Sequence, residues 1–135
     1  MENDPFERAV RQILTRDRRY PAEAYRLMPA VLDWTFRHAV QQHARGATRG
    51  HVSGKQLAEG FRDYLLAEYG PFAAPLLKQL NITSTADIGE LVYNLISVNV
   101  FGKSENDRQS DFANVYDFAD AFEAPYLPQH EQPGE

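Results

Sequence analysis

The 135-residue sequence contains no cysteine, two methionines and a single tryptophan. With no thiol there is no disulfide framework, no cysteine nucleophile and no thiolate zinc site. No apolar run approaches the ~20 residues that a membrane-spanning helix needs. The opening Met1-Glu2-Asn3-Asp4-Pro5 has neither a basic stretch nor an apolar one, so no secretion signal is read and a cytoplasmic protein is expected. A large positive charge is missing too. A net charge of −5, with 24% charged residues, does not suit a molecule built to seek nucleic acid. What the chain does have is apolar substance, 43% hydrophobic and 12% aromatic, which excludes wholesale disorder and low-complexity classes. At this length it is expected to form one domain that hides roughly two-thirds of its unfolded surface.

Helical signals dominate. Asp4 and Pro5 suit the cap and first position of a helix whose stripe is Phe6, Ala9, Val10, Ile13 and Leu14. A second helix follows Tyr20-Pro21, with Pro29 inside it expected to kink or split it. Ser53 and Gln56 have the spacing of a capping box ahead of Leu57, Phe61, Tyr64 and Leu65. Gly70-Pro71 separates this helix from a short fourth one that Asn81 stops. Thr85 is expected to cap a fifth, carrying Ile88, Leu91, Val92, Leu95 and Ile96. Beyond it, Val98, Val100 and Phe101 alternate with polar residues, and Phe112–Tyr116 could pair back with them. Asp117 suits the cap of a last turn through Phe122. The expected fold is therefore mainly α: a helical globular domain over 1–123 of five or six short helices. An optional winged-helix-like β-hairpin lies at about 98–116, and residues 124–135 form a disordered Pro-rich tail.

Charge is distributed unevenly. Residues 34–58 hold no acid, whereas 104–135 hold eight acids against Arg108. The glycine-flanked basic loop therefore yields anion-binding candidates, Arg45, Arg49, His51, Ser53 and Lys55, at the start of the Ser53 helix. The competing reading is a solvated charged face, since exposed ion pairs usually signify little. Gly50-His51-Val52-Ser53-Gly54-Lys55-Gln56 fails as a phosphate loop: the glycines are one residue too close, and no Ser or Thr follows Lys55. His38 and His43, five apart, do not make the i, i+4 pair of a zinc helix, and no metal or cofactor is expected. No catalytic residue is assigned, because Ser53 is better explained as a cap and no Gly-x-Ser-x-Gly elbow exists. DNA readout through a winged helix is disfavoured, because residues 86–97 carry Asp87 and Glu90 but no Lys or Arg. The aromatics of the last third include Phe112, Tyr116, Phe118 and Phe122. They either lock that segment onto the core or form a partner interface.

Four stretches carry a resemblance: Gly50-His51-Val52-Ser53-Gly54, Glu68-Tyr69-Gly70-Pro71, Asp87-Ile88-Gly89-Glu90-Leu91-Val92-Tyr93-Asn94, and Tyr116-Asp117-Phe118 followed by Phe122. Through them the chain resembles a small uncharacterised protein family of planctomycete and verrucomicrobial bacteria, over nearly the whole chain from Phe6 to Pro128, leaving out the tail. The resemblance implies a bacterial cytoplasmic protein and brings no activity, cofactor or catalytic residue. The Gln41–Thr48 stretch and the Pro-rich tail look like departures from it, which puts the importance of Arg45 in doubt.

Three functions follow in order. The first is a non-catalytic protein-interaction or regulatory domain, binding a protein partner or a second copy of itself through the aromatic C-terminal region or the basic loop. The second is an anion or nucleic-acid binder through the loop at 45–55. The third is a small enzyme for an anionic substrate, which requires a concave pocket beside Ser53.

Overall fold

A computed structural model describes residues 4–42 and 52–128. Helix α1, Pro5–Leu14, begins where the Asp4 carboxylate accepts the Phe6 N–H at 2.9 Å. It buries Val10 and Ile13. Helix α2 runs from Ala22 to Gln42 and passes through Pro29 without the split that was one of the two expected outcomes. Proline inside a helix costs ~3 kcal/mol. Burying the neighbouring Tyr25, Met28 and Val31 contributes ~1.5–3 kcal/mol each, which outweighs that cost.

Helix α3, Gly54–Tyr69, starts with the capping box read from the sequence: Gln56 N–H donates to Ser53 Oγ and Ser53 N–H donates to Gln56 Oε1. It packs against α2 at Gly60, where an added Cβ would stand 1.8 Å from Thr35 Oγ1. A 3-10 turn, Gly70–Phe72, leads into α4, Ala73–Gln79. Pro75 is tolerated there because first-turn N–H groups have no intrahelical partner to lose.

Helix α5, Thr85–Ser97, carries the central stripe Ile88, Leu91, Val92 and Leu95. Its cap differs from the expectation. Ser84 is the flanking residue, and Thr85 is buried with its hydroxyl turned elsewhere. No side chain caps the first helix N–H groups; the Asp87 carboxylate instead accepts the Thr83 N–H, ahead of the helix, at 2.8 Å. Both α4 and α5 end in left-handed asparagines, Asn81 (φ 63°) and Asn99 (φ 64°). In each, the next residue's N–H reaches back to a helix carbonyl, Ile82 to Leu77 and Val100 to Leu95, both at 2.9 Å.

The hairpin at 98–116 is not formed, nor is the winged-helix arrangement that needed it; among the described residues no strand occurs. The alternation at Val98-Asn99-Val100 is the cap of α5. Phe112 C=O accepts the Thr85 hydroxyl at 2.5 Å, and Val115 N–H donates to the same oxygen at 3.1 Å. One buried side chain thus supplies what a partner strand would have supplied. A 3-10 turn at Gln109–Phe112 precedes α6, Phe118–Phe122, capped by Asp117 through the Asp120 N–H. The expected tail begins with another 3-10 turn, Ala124–Tyr126; 129–135 lie outside the described residues.

All six helices contribute to one core in which Tyr25, Phe61, Leu65, Ile88, Leu95 and Phe122 are fully buried, with Val10 and Ile13 of α1 and Leu77 of α4 beside them. No helix among the described residues is long and apolar enough to cross a membrane.

Candidate functional site

The four aromatic interface candidates are divided by burial. Phe112 is 3% exposed and Phe122 2%. Phe112 sits so close to α5 that its Cβ would be 2.9 Å from a Cβ on Gly89. Tyr116 is half-buried, and its hydroxyl donates to the Ala58 carbonyl at 2.7 Å. The Arg62 guanidinium lies 5.3 Å over the Tyr116 ring. Burial pushes the Tyr116 phenol well above its ordinary value, and the Arg62 charge opposes this only in part. Phe118 stacks on Tyr116 at 5.9 Å and meets Phe122 edge-on at 5.0 Å. This cluster fastens α6 to α3; Phe112 and Phe122 offer a partner no side-chain surface.

Exposed apolar surface lies next to this cluster. Phe72 is 73% exposed, Leu127 59% and Tyr126 45%. Phe72 and Tyr126 sit on 3-10 turns that approach each other, Tyr126 Oη lying 3.8 Å from where a Cβ on Gly70 would be, and Leu127 directly follows the second turn. The neighbouring Pro71 and Pro125 are exposed as well, and so are Glu68 and Glu123. Exposed acids thus lie within a few residues of these exposed apolar side chains along the chain. Exposed large side chains grouped in this way mark contact surfaces more often than scattered ones do.

Of the anion-binding candidates, Arg45, Arg49 and His51 lie outside the described residues. Lys55 is exposed, and the Ser53 hydroxyl is committed to its cap. Asp111 closes on the same helix start, its Cβ 3.0 Å from a Cβ placed on Gly54. The side chain nearest the N-terminus of α3 on that flank is thus the protein's own acid.

The concave pocket that the enzyme reading required is present. A cleft of about 780 Å³ lies beside Ser53, floored by Leu57, Val92, Ile96, Phe101 and Phe112 and rimmed by residues 102–111. The acids on this rim hold their own loop, with Ser104 N–H donating to Asp107 at 2.8 Å and Arg108 N–H to Asp111 at 3.0 Å. Among the described residues no three His, Asp or Glu side chains converge as a metal site. His38 Nδ1 is paired with the Trp34 carbonyl at 2.8 Å, and the two rings stack at 4.0 Å.

A polar lattice between the α1–α2 connection and α5 has no counterpart in the sequence reading. Arg19 bridges Asp17 at 2.7 Å and Glu90 at 2.8 Å. Asn94 donates to Asp17 Oδ2 and to Tyr25 Oη, both at 3.0 Å, while Arg16 donates to Asn94 and Ser97. Tyr20 Oη donates to Asp87 Oδ1 at 2.5 Å. The Arg19 guanidinium, helped by Asn94, holds the Asp17 carboxyl far below the usual carboxylate range against its own desolvation. The signal available in sequence was Arg16-Asp17-Arg18-Arg19-Tyr20, a run denser in charge and hydroxyl than a helix end needs. Every carboxylate of the lattice is occupied by a partner within the chain, so it acts as a clasp. No family model, curated protein or solved structure matches this chain.

Proposed function

We propose that this chain is a non-catalytic protein-interaction domain that docks a protein partner through Phe72, Tyr126 and Leu127. It would act in the bacterial cytoplasm, as the resembled family implies. The observation that supports this reading is the exposure of three large apolar side chains, Phe72 and Tyr126 on two 3-10 turns that approach at Gly70 and Leu127 directly after the second turn. Aromatic and aliphatic anchors of this kind dominate protein interfaces when a pocket on the partner desolvates them. The exposed acids Glu68 and Glu123 nearby suit a partner whose apolar pocket carries a basic rim. The proposed contact lies partly in the C-terminal region, through residues other than the expected Phe112, Tyr116, Phe118 and Phe122.

The test compares proteins captured from native bacterial extract by the wild type and by Phe72→Ser/Tyr126→Ser/Leu127→Ser, with and without nuclease. The expected result is a protein captured by the wild type, lost with the triple variant and indifferent to nuclease. It should also persist in about 1 M salt, where the Debye length is ~3 Å and exposed charges are screened. Equal capture by both proteins would overturn the reading. Loss of capture on nuclease treatment would turn it toward nucleic acid.

A further inference from the structure

Phe72 stands on the same helical stripe as an apolar cleft. Its own backbone is already helical (φ −84°, ψ −5°). Phe72, Leu76, Gln79 and Leu80 therefore fall at i, i+4, i+7 and i+8, on one face of α4. Along that face exposure falls from 73% at Phe72 to 6% at Leu80. Leu76, Gln79 and Leu80, with Leu27 of α2 and Tyr69 at the end of α3, line a cleft of about 550 Å³. An exposed ring thus leads into a recess along ~12 Å of helix, a little over two turns. That is close to the span over which a docked helix presents anchors at i, i+3 or i+4, and i+7.

The charges on this face set the sign of the partner. Glu68, in the last turn of α3, and Glu123, just before the Tyr126 turn, are exposed and have no ion pair among the described residues. Arg26 and Glu23 both line the cleft, but Glu7 holds Arg26 at 2.8 Å and Glu23 lies 3.9 Å from it. That trio is left with one negative charge. Lys78 is exposed, yet two positions beyond Leu76 it stands about 200° round α4 and faces away. At the Leu80 end, Asn81 Nδ2 donates to the Arg19 carbonyl at 2.9 Å, which brings up the α1–α2 connection. Arg19 is bound there to Asp17 and Glu90, and Arg18 is exposed. The face is therefore acidic where Phe72 stands. A second copy would bring the same acids, and an anionic membrane would be repelled.

We infer that the stripe from Phe72 to Leu80 docks a basic amphipathic helix of another protein. The apolar side of that helix seats on Leu27, Tyr69 and Leu76, and four of its residues form the hole that takes the Phe72 ring. Its Lys or Arg side chains lie over Glu68 and Glu123. The inference rests on Phe72 being a docking residue, and it adds the cleft and the chemistry of the partner.

The probe is a synthetic helix of leucine and lysine, about 14 residues long with its leucines at helical spacing. It is titrated into the full labelled chain and followed by amide shifts. One control peptide carries glutamate for lysine, and another has the lysine peptide's residues in scrambled order. The lysine helix is expected to bind saturably, with shifts at 23–27, 68–80 and 123–127. The glutamate helix should bind about ten-fold more weakly, and the scrambled peptide should not bind. Phe72→Ser should weaken the lysine helix about ten-fold. Gln79→Lys, an exposed change that adds a cation to the cleft, should weaken it about five-fold. Glu68→Gln/Glu123→Gln should cut the preference for lysine about three-fold. Equal affinity for the glutamate helix or the scrambled peptide would overturn the inference, as would unchanged binding by Phe72→Ser or Gln79→Lys. Shifts centred on 104–111 would overturn it too, since they report attraction to acids alone. A dimer of the chain that Phe72→Ser dissolves would give the face to a second copy instead. Absent peptide binding, with capture from extract still lost in Phe72→Ser/Tyr126→Ser/Leu127→Ser, would refute the helix and leave the docking face standing. Equal capture by that triple variant would refute the face itself.

Discussion

Thr35 of α2 packs its side chain against the backbone of Gly60 in α3: a Cβ on Gly60 would lie 1.8 Å from Thr35 Oγ1 and 2.7 Å from Thr35 Cβ. The Thr35 hydroxyl is fixed in place by its bond to the Val31 carbonyl at 2.7 Å, so it has little freedom to move aside. Overpacking at such a contact costs ~1–3 kcal/mol and sometimes more. Gly60→Ala is expected to lower stability by about 3 kcal/mol in urea titration. Thr35→Ala in the same chain should recover part of that loss, giving a double-mutant coupling of about 1 kcal/mol. Additive effects would mean that the two helices do not meet there.

Thr85 supports the segment 112–115 by serving both the Phe112 carbonyl and the Val115 N–H. Thr85→Val keeps the shape and removes both bonds, leaving buried backbone groups unpaired. A loss of ~2–3 kcal/mol is expected. Faster amide exchange should appear first at Val115, and unchanged exchange there would contradict the bridge.

Asp17 gives the protein an acid limit. Its folded pKa is depressed, so the unfolded chain binds more protons below its ordinary 3.8, and stability falls as pH drops through that value. Asp17→Asn should lose ~2 kcal/mol at neutral pH and show a shallower acid transition, measured by urea midpoints from pH 6 to 2.

Tyr20 and Tyr116 set the opposite limit. Burial, with Asp87 beside Tyr20, holds both phenols above the ordinary 10.0, so they stay protonated in the fold after the unfolded chain has begun to ionise. Stability is complete below pH 10 and declines above it. Tyr116→Phe removes the bond to Ala58 and should cost ~1 kcal/mol at pH 7 while flattening the alkaline decline.

Much of this architecture was legible in the sequence. Asp4, Ser53 with Gln56, Asn81 and Asp117 act as the caps and stops their types suggest, because capping is a local contest between a side chain and nearby N–H or C=O groups. The hairpin was misread at Val98-Asn99-Val100, where alternating polarity imitates a strand while Asn99 turns left-handed to close α5. Thr85 was misassigned because its partners lie 27 and 30 residues away, beyond any local pattern. The clasp around Asp17 and the cleft beside Ser53 join residues that only the tertiary fold brings together. Phe72, straight after Gly70-Pro71, stands outside α4. Its exposure follows from the 3-10 turn that precedes that helix.

The central claim is that the docking face is Phe72, Tyr126 and Leu127, and side-chain footprinting with hydroxyl radicals, on the free chain and on the captured complex, tests it most directly. These three side chains should lose most of their reactivity in the complex while Phe101 in the cleft keeps its own. Undiminished oxidation of Phe72, Tyr126 and Leu127 in a complex that is otherwise intact would contradict it.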